Sequence, residues 1–151
     1  LMIFMHDFAL MLSRDLHSVS IESLELKLYH LNQAFNVDYL YPHLSINCYY
    51  QFALYYVEKS DSRAIDYLKN YCKCFDYLVS DFVYQKDDFF NEIDEWLDTL
   101  ALGERLPANY ENTLSVMYSR VSENEHFNTL ENFKYIKKDL LRIYNKKDES
   151  N

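Results

Sequence analysis

Residues 41–82 read YPHLSINCYYQFALYYVEKSDSRAIDYLKNYCKCFDYLVSDF, and this stretch decides the fold. Tyr41-Pro42 opens a helix, because proline suits a first turn whose N–H groups have no partner inside the helix. From there to about Lys59 apolar side chains fall on every side, the pattern of a centrally buried helix. Ser60-Asp61-Ser62 supplies capping side chains for the next and longest element. Its stripe is Ile65, Leu68, Cys72, Phe75, Val79 and Phe82, widened by Ala64, Tyr67, Tyr71, Cys74 and Leu78. Steps of three and four are the helical period, and a stripe this broad packs on two sides.

The same period extends outward. After Ser20, a plausible N-cap, Ile21, Leu24, Leu28, Leu31 and Phe35 recur in helical steps, and Asn36 suits the left-handed position that ends a helix. Downstream, Asp87 and Asp88 start a further helix in accord with the helix dipole. Gly103 stands just past its end, and Pro107 follows. A shorter helix covers 109–122, with the stripe Tyr110, Leu114, Met117 and Val121. Asn128 with Glu131 reads as a capping box for the last helix, whose face is Leu130, Phe133, Ile136, Leu140 and Ile143. After Lys146 the chain turns polar and is expected to fray, with 148–151 a disordered tail.

The opening run Leu1–Leu12 is apolar but broken by His6 and Asp7. It is too short to cross a bilayer and lacks the basic leader and cleavage site of a signal peptide, so it is expected to form a buried first helix. No Pro/Ser-rich linker interrupts the chain. The expected fold is all-α: six or seven helices in one domain over 1–147, as a bundle or a short helical stack.

Composition agrees. One Gly and two Pro in 151 residues leave too little turn chemistry for a β-rich fold, while 49% hydrophobic residues provide a core. A net charge of −9 argues against nucleic acid and anionic membranes as ligands, since both need a basic face, and permits a basic protein partner. The three cysteines, Cys48, Cys72 and Cys74, form no disulfide framework and fit a reducing cytoplasm.

Tyr49-x-x-Phe52-Ala53-x-x-Tyr56, followed by Ala64-x-x-x-Leu68, resembles a tetratricopeptide helical hairpin, with small and aromatic residues at that family's spacings. No closing Pro is present, and nothing similar recurs about 34 residues on either side. The resemblance implies a regulatory module that binds peptide in a concave groove.

No catalytic signature is legible. A single Gly removes the glycine-dependent phosphate loops, and no HExxH occurs. His6, His17, His30, His43 and His126 have no Cys or His neighbour at a ligand spacing. Glu123 and His126 match the Glu-x-x-His of carboxylate-bridged metal bundles, but that site needs the motif twice. A Cys–His nucleophile could only assemble in three dimensions. The expectation is a non-enzyme without metal or cofactor.

The distinctive feature is charge. Asp76, Asp81, Asp87, Asp88, Glu92, Asp94, Glu95, Asp98 and Glu104 stand against Lys86 alone, a net of −8 over residues 76–104, whereas residues 128–147 net +4. Phe89, Phe90, Ile93, Trp96, Leu97, Leu100 and Ala101 share one half of the helical wheel and the carboxylates the other. Asp88 with Glu92 and Asp94 with Asp98 are like-charge pairs that each cost roughly 0.2–0.5 kcal/mol, with no base on that face to offset them. Fifteen tyrosines add large, stiff, amphipathic side chains of the kind that anchor interfaces. The expected partner-binding residues are therefore Asp87, Asp88, Glu92, Asp94, Glu95 and Asp98 with Tyr55, Tyr56 and Tyr84. The expected role is an acidic inhibitor or immunity-type protein that neutralises a basic toxin or nuclease.

Overall fold

Capping chemistry sets the first boundaries. In the computed structural model, which describes residues 20–81, 90–92, 94, 95, 98, 99, 101, 103–107 and 109–149, Ser20 accepts a hydrogen bond from the Ser23 amide and opens α1 (Ile21–Phe35). Asn36 ends that helix at φ 50°, in the left-handed conformation. A single helical turn, α2 (Val37–Leu40), fills the gap before Pro42, and the sequence reading missed it. α3 then runs Pro42–Glu58 with proline in its first turn, as expected.

Ser60 and Asp61 divide the work of the next connection. Ser60, at φ 54°, takes the left-handed position usually given to glycine, and its amide and that of Asp61 return to the Val57 and Tyr56 carbonyls. Asp61 Oδ1 accepts from the Arg63 amide at 2.9 Å and starts α4 (Arg63–Ser80). Asn109 likewise caps α5 (Tyr110–Ser122) through the Asn112 amide. The expected capping box at Asn128 and Glu131 does not form. Asn128 lies inside a 3-10 helix, Glu125–Thr129, which Asn124 caps instead, and α6 begins at Phe133 and continues to Glu149. Residues 90–92, 94, 95 and 98 are also helical. No strand occurs among the described residues, so the fold is all-α. The expected first helix within 1–12 and the expected helix start at Asp87 lie outside the described residues.

Cross-helix contacts give the topology. Glu25 meets Tyr56, and Asn32 meets Tyr49, so α1 and α3 are antiparallel. Tyr67 packs on Phe52, and Tyr71 near Tyr50, so α4 reverses again. Tyr110 reaches the carbonyls of Leu78 and Val79 while Arg120 reaches Tyr71, which makes α5 antiparallel to α4. Phe75 packs on Tyr144 and Asp76 pairs with Lys146, so α6 lies along α4 (its Ile136 and Lys138 flank Lys69) and runs parallel to it.

The core lies where α3 and α4 cross the others. Phe52, Ala53, Ala64, Leu68, Tyr71, Cys74, Phe75 and Leu78 are fully buried, joined by Leu114, Val121, Phe127, Leu140 and Ile143. The positions that carry the tetratricopeptide resemblance are all buried, and they pack this hairpin.

Candidate functional site

The acidic face rests on an apolar anchor. Phe90 is 4% exposed and its ring lies 6.4 Å from that of Tyr110, which fixes the segment against the C-terminal end of α4. On the outer side Glu92, Glu95, Asp98 and Glu104 are exposed, and Asp94 is half-buried. Asp87, Asp88 and Tyr84 lie outside the described residues.

Local spacing suggested an uncompensated stripe, and the structure corrects that. Arg105, just beyond Gly103, folds back onto the helix. Its Nη1 donates to Asp94 Oδ1 at 2.7 Å, and its Nη2 donates to the Asp94 carbonyl and to Asp98 Oδ1, both at 2.8 Å. Asp94 foremost, then Asp98, raises the guanidinium pKa. Gly103 supplies the reversal with φ 75°, a conformation that costs a residue with a Cβ roughly 1–2 kcal/mol. The repulsive Asp94/Asp98 pair thereby becomes a bridged one. At the start of the acidic stretch, Lys146 reaches Asp76 at 2.9 Å. Burial alone would raise the Asp76 carboxyl, but hydrogen bonds from Lys146 and Ser80 outweigh it and hold it below the usual range.

The tyrosines turn mostly inward. The Tyr67 ring stacks between those of Tyr49 and Tyr56, at 5.8 Å from each. The three hydroxyls point at carboxylates of α1 and α2: Tyr49 donates to Asp38 at 2.6 Å, and Tyr56 and Tyr67 both donate to Glu25. Burial foremost, then Glu25, pushes the Tyr56 phenol up to about 12. Burial foremost, then Asp38, raises Tyr49 as well. Tyr56 is 2% exposed, so of the two expected tyrosine anchors among the described residues only the half-buried Tyr55 presents surface, and its hydroxyl donates to Glu22 at 3.2 Å. Tyr71 joins α4 to α5: its hydroxyl donates to the Met117 carbonyl at 2.5 Å and accepts from Arg120 Nε at 2.8 Å. The Arg120 guanidinium lies 4.5 Å from the Tyr50 ring centre and 5.3 Å from that of Tyr71.

All three cysteines are buried and unbridged. Burial pushes the Cys48 and Cys72 thiols up to about 12 and raises Cys74 well above its ordinary value. They are thiols, not thiolates, at neutral pH, and a thiol is a poor nucleophile. Among the described residues no group of three or more His, Cys, Asp and Glu side chains could hold a metal ion. No helix among them is long and apolar enough to cross a membrane.

One feature escaped the sequence reading. α4 and α6 leave a shallow cleft of about 450 Å³ lined by Lys69, Tyr135, Ile136, Lys138, Asp139 and Arg142. Ile136 is its buried floor, while Tyr135 is 58% exposed. The basic composition of residues 128–147 was visible, but Lys69 joins them only through the parallel α4/α6 pairing. No known protein family, curated protein or solved structure matches the chain.

Proposed function

We propose that the chain is a non-enzymatic protein-binding domain of the inhibitor or immunity type, which offers Glu92, Glu95, Asp98 and Glu104 to a basic protein such as a toxin or nuclease. The carrying observation is the exposed carboxylate face between residues 92 and 104, set on the buried Phe90. Carboxylates gathered on one face steer a basic partner and raise its association rate more than its final affinity. The Arg105 brace holds Asp94 and Asp98 in place before binding, which reduces the ordering cost on association. Buried, reduced thiols fit a reducing compartment such as the cytoplasm. The alternative, a peptide-binding helical-repeat module, rests on the α3/α4 hairpin alone.

The test is to recover the partner from the native host, identify it, and titrate it against wild type and E92K/E95K. The expected partner is basic. Its affinity falls about tenfold or more on the double reversal, roughly 1.4 kcal/mol, and weakens with salt. An acidic partner, or an affinity that the reversal leaves unchanged, overturns the reading.

A further inference from the structure

The acidic face has a counterpart on the same molecule. In the α4/α6 cleft, Asp139 Oδ1 accepts from Arg142 Nη2 at 2.6 Å and so neutralises that guanidinium locally. Lys69 and Lys138 are exposed and make no ion pair among the described residues. The cleft is thus an apolar floor with two uncompensated ammonium groups at its rim, in a chain whose net charge is −9. Its occupant should be anionic.

We propose that this occupant is the acidic face of a second copy: the chain self-associates head to tail, with the carboxylates around Glu95 of one molecule seated against Lys69 and Lys138 of the next. Position carries the argument together with charge. The acidic face is anchored through Phe90 and Tyr110 to the carbonyls of Leu78 and Val79, at the C-terminal end of α4. The cleft lies beside Lys69, ten residues earlier on the same helix, about 15 Å at 1.5 Å per residue. Among the described residues no ion pair joins the acidic face to Lys69 or Lys138, and the anchor and the cleft lie about three turns apart on α4, so the two poles are left to meet between molecules. Such a contact is heterologous: it leaves one pole open at each end and builds rings or open chains, not an isologous dimer. Overall negative charge opposes it, so the association is weak and depends on short-range pairing within about 10 Å at 0.1 M salt.

The contact shares its carboxylates with the basic-partner reading and competes with it. A chain that stays monomeric leaves that reading intact.

Sedimentation velocity tests the proposal at concentrations up to about 0.5 mM, where contacts with Kd near 1 mM begin to populate. Wild type is expected to sediment faster as concentration rises in about 0.1 M salt and to lose that rise in about 0.5 M. K69E/K138E and E92K/E95K each remain monomeric and keep wild-type circular dichroism, since all four positions are exposed. An equimolar mixture of the two restores association, because each variant retains one native pole and the reversed poles complement each other. Both variants keep a negative net charge, so general attraction cannot produce that recovery. Wild type that is monomeric throughout, association indifferent to both variants, or a mixture that fails to recover overturns the proposal. So does a monomeric wild type whose cleft captures a polyglutamate peptide, which would assign the cleft to an acidic partner.

Discussion

Replacing Tyr71 with Phe removes one oxygen and leaves the ring that packs the α4/α5 boundary. Tyr71 is fully buried, and its hydroxyl makes two bonds at once, to the Met117 carbonyl at 2.5 Å and from Arg120 Nε at 2.8 Å. A neutral hydrogen bond contributes about 1 kcal/mol net, and one involving a charged group roughly 1.5–3 kcal/mol. The loss should therefore be about 3 kcal/mol, a large share of the roughly 5–15 kcal/mol that holds a domain folded. No substitute donor or acceptor is at hand, because Arg120 Nη2 is already buried without a hydrogen-bond partner among the described residues. For a domain of this size the change corresponds to a fall in Tm of roughly 6–12 °C. Urea denaturation followed by circular dichroism should show a lower midpoint at unchanged slope. Tyr118→Phe, where no hydroxyl bond is made among the described residues, should stay within about 0.5 kcal/mol of wild type. A cycle combining Y71F with R120M should return a coupling of about 1.5 kcal/mol or more. A Y71F protein as stable as the Tyr118→Phe control, or additive behaviour in the cycle, would refute the assignment of this hydroxyl as the tie between α4 and α5.

Ser60→Gly should raise stability by roughly 1 kcal/mol in the same urea assay, because Ser60 holds a left-handed φ of 54° that costs a residue with a Cβ about that much; a neutral result would mean the strain is absent. Native protein should react with Ellman's reagent at pH 8 far more slowly than protein unfolded in guanidinium, because Cys48 and Cys72 are buried thiols pushed up to about 12; one fast thiol would reopen the case for a nucleophile. Tyr56 has its folded pKa raised from 10.0 to about 12, so its contribution is complete below pH 10 and is lost as pH climbs from there through 12. Thermal melts between those pH values should fall for wild type and fall less for Tyr56→Phe, and equal slopes would show that folding does not raise this phenol. Arg105→Gln should speed amide exchange at residues 94, 95 and 98 while α4 stays protected; unchanged exchange would show that the arginine braces nothing.

Local chemistry was legible in the sequence. Ser20, Asn36, Pro42 and Gly103 each act through their own backbone or a neighbour two to four residues away, so their roles follow from residue type and order. The capping box at Asn128 and Glu131 failed by a near miss, because Asn124 offers the same chemistry four residues earlier and initiates a 3-10 helix first. Contacts that cross the fold were not legible. Arg105 closes on Asp94 from eleven residues downstream, so a survey of helical i,i+4 neighbours found no base for the stripe. Tyr56 was counted among the partner-binding surface residues because nothing in its own helix announces Glu25 on α1. The cleft was hidden for the same reason: its rim takes Lys69 from α4 and Lys138 from α6, and only the parallel course of those helices puts the two charges side by side.

The inward tyrosines have a consequence for how this sequence can drift. Tyrosine and phenylalanine are one base change apart, and in a chain with this many aromatics that exchange is among the commonest available. The fold divides it in two. At Tyr49, Tyr56, Tyr67 and Tyr71 the hydroxyl holds one helix to another, so the exchange loosens a joint. At Tyr50, Tyr77, Tyr118 and Tyr144 the partners are made through the ring alone among the described residues, and the exchange passes without notice. Lineages of this chain should therefore keep tyrosine at the first set and wander freely between the two aromatics at the second, a record of the helix joints written in a single oxygen atom.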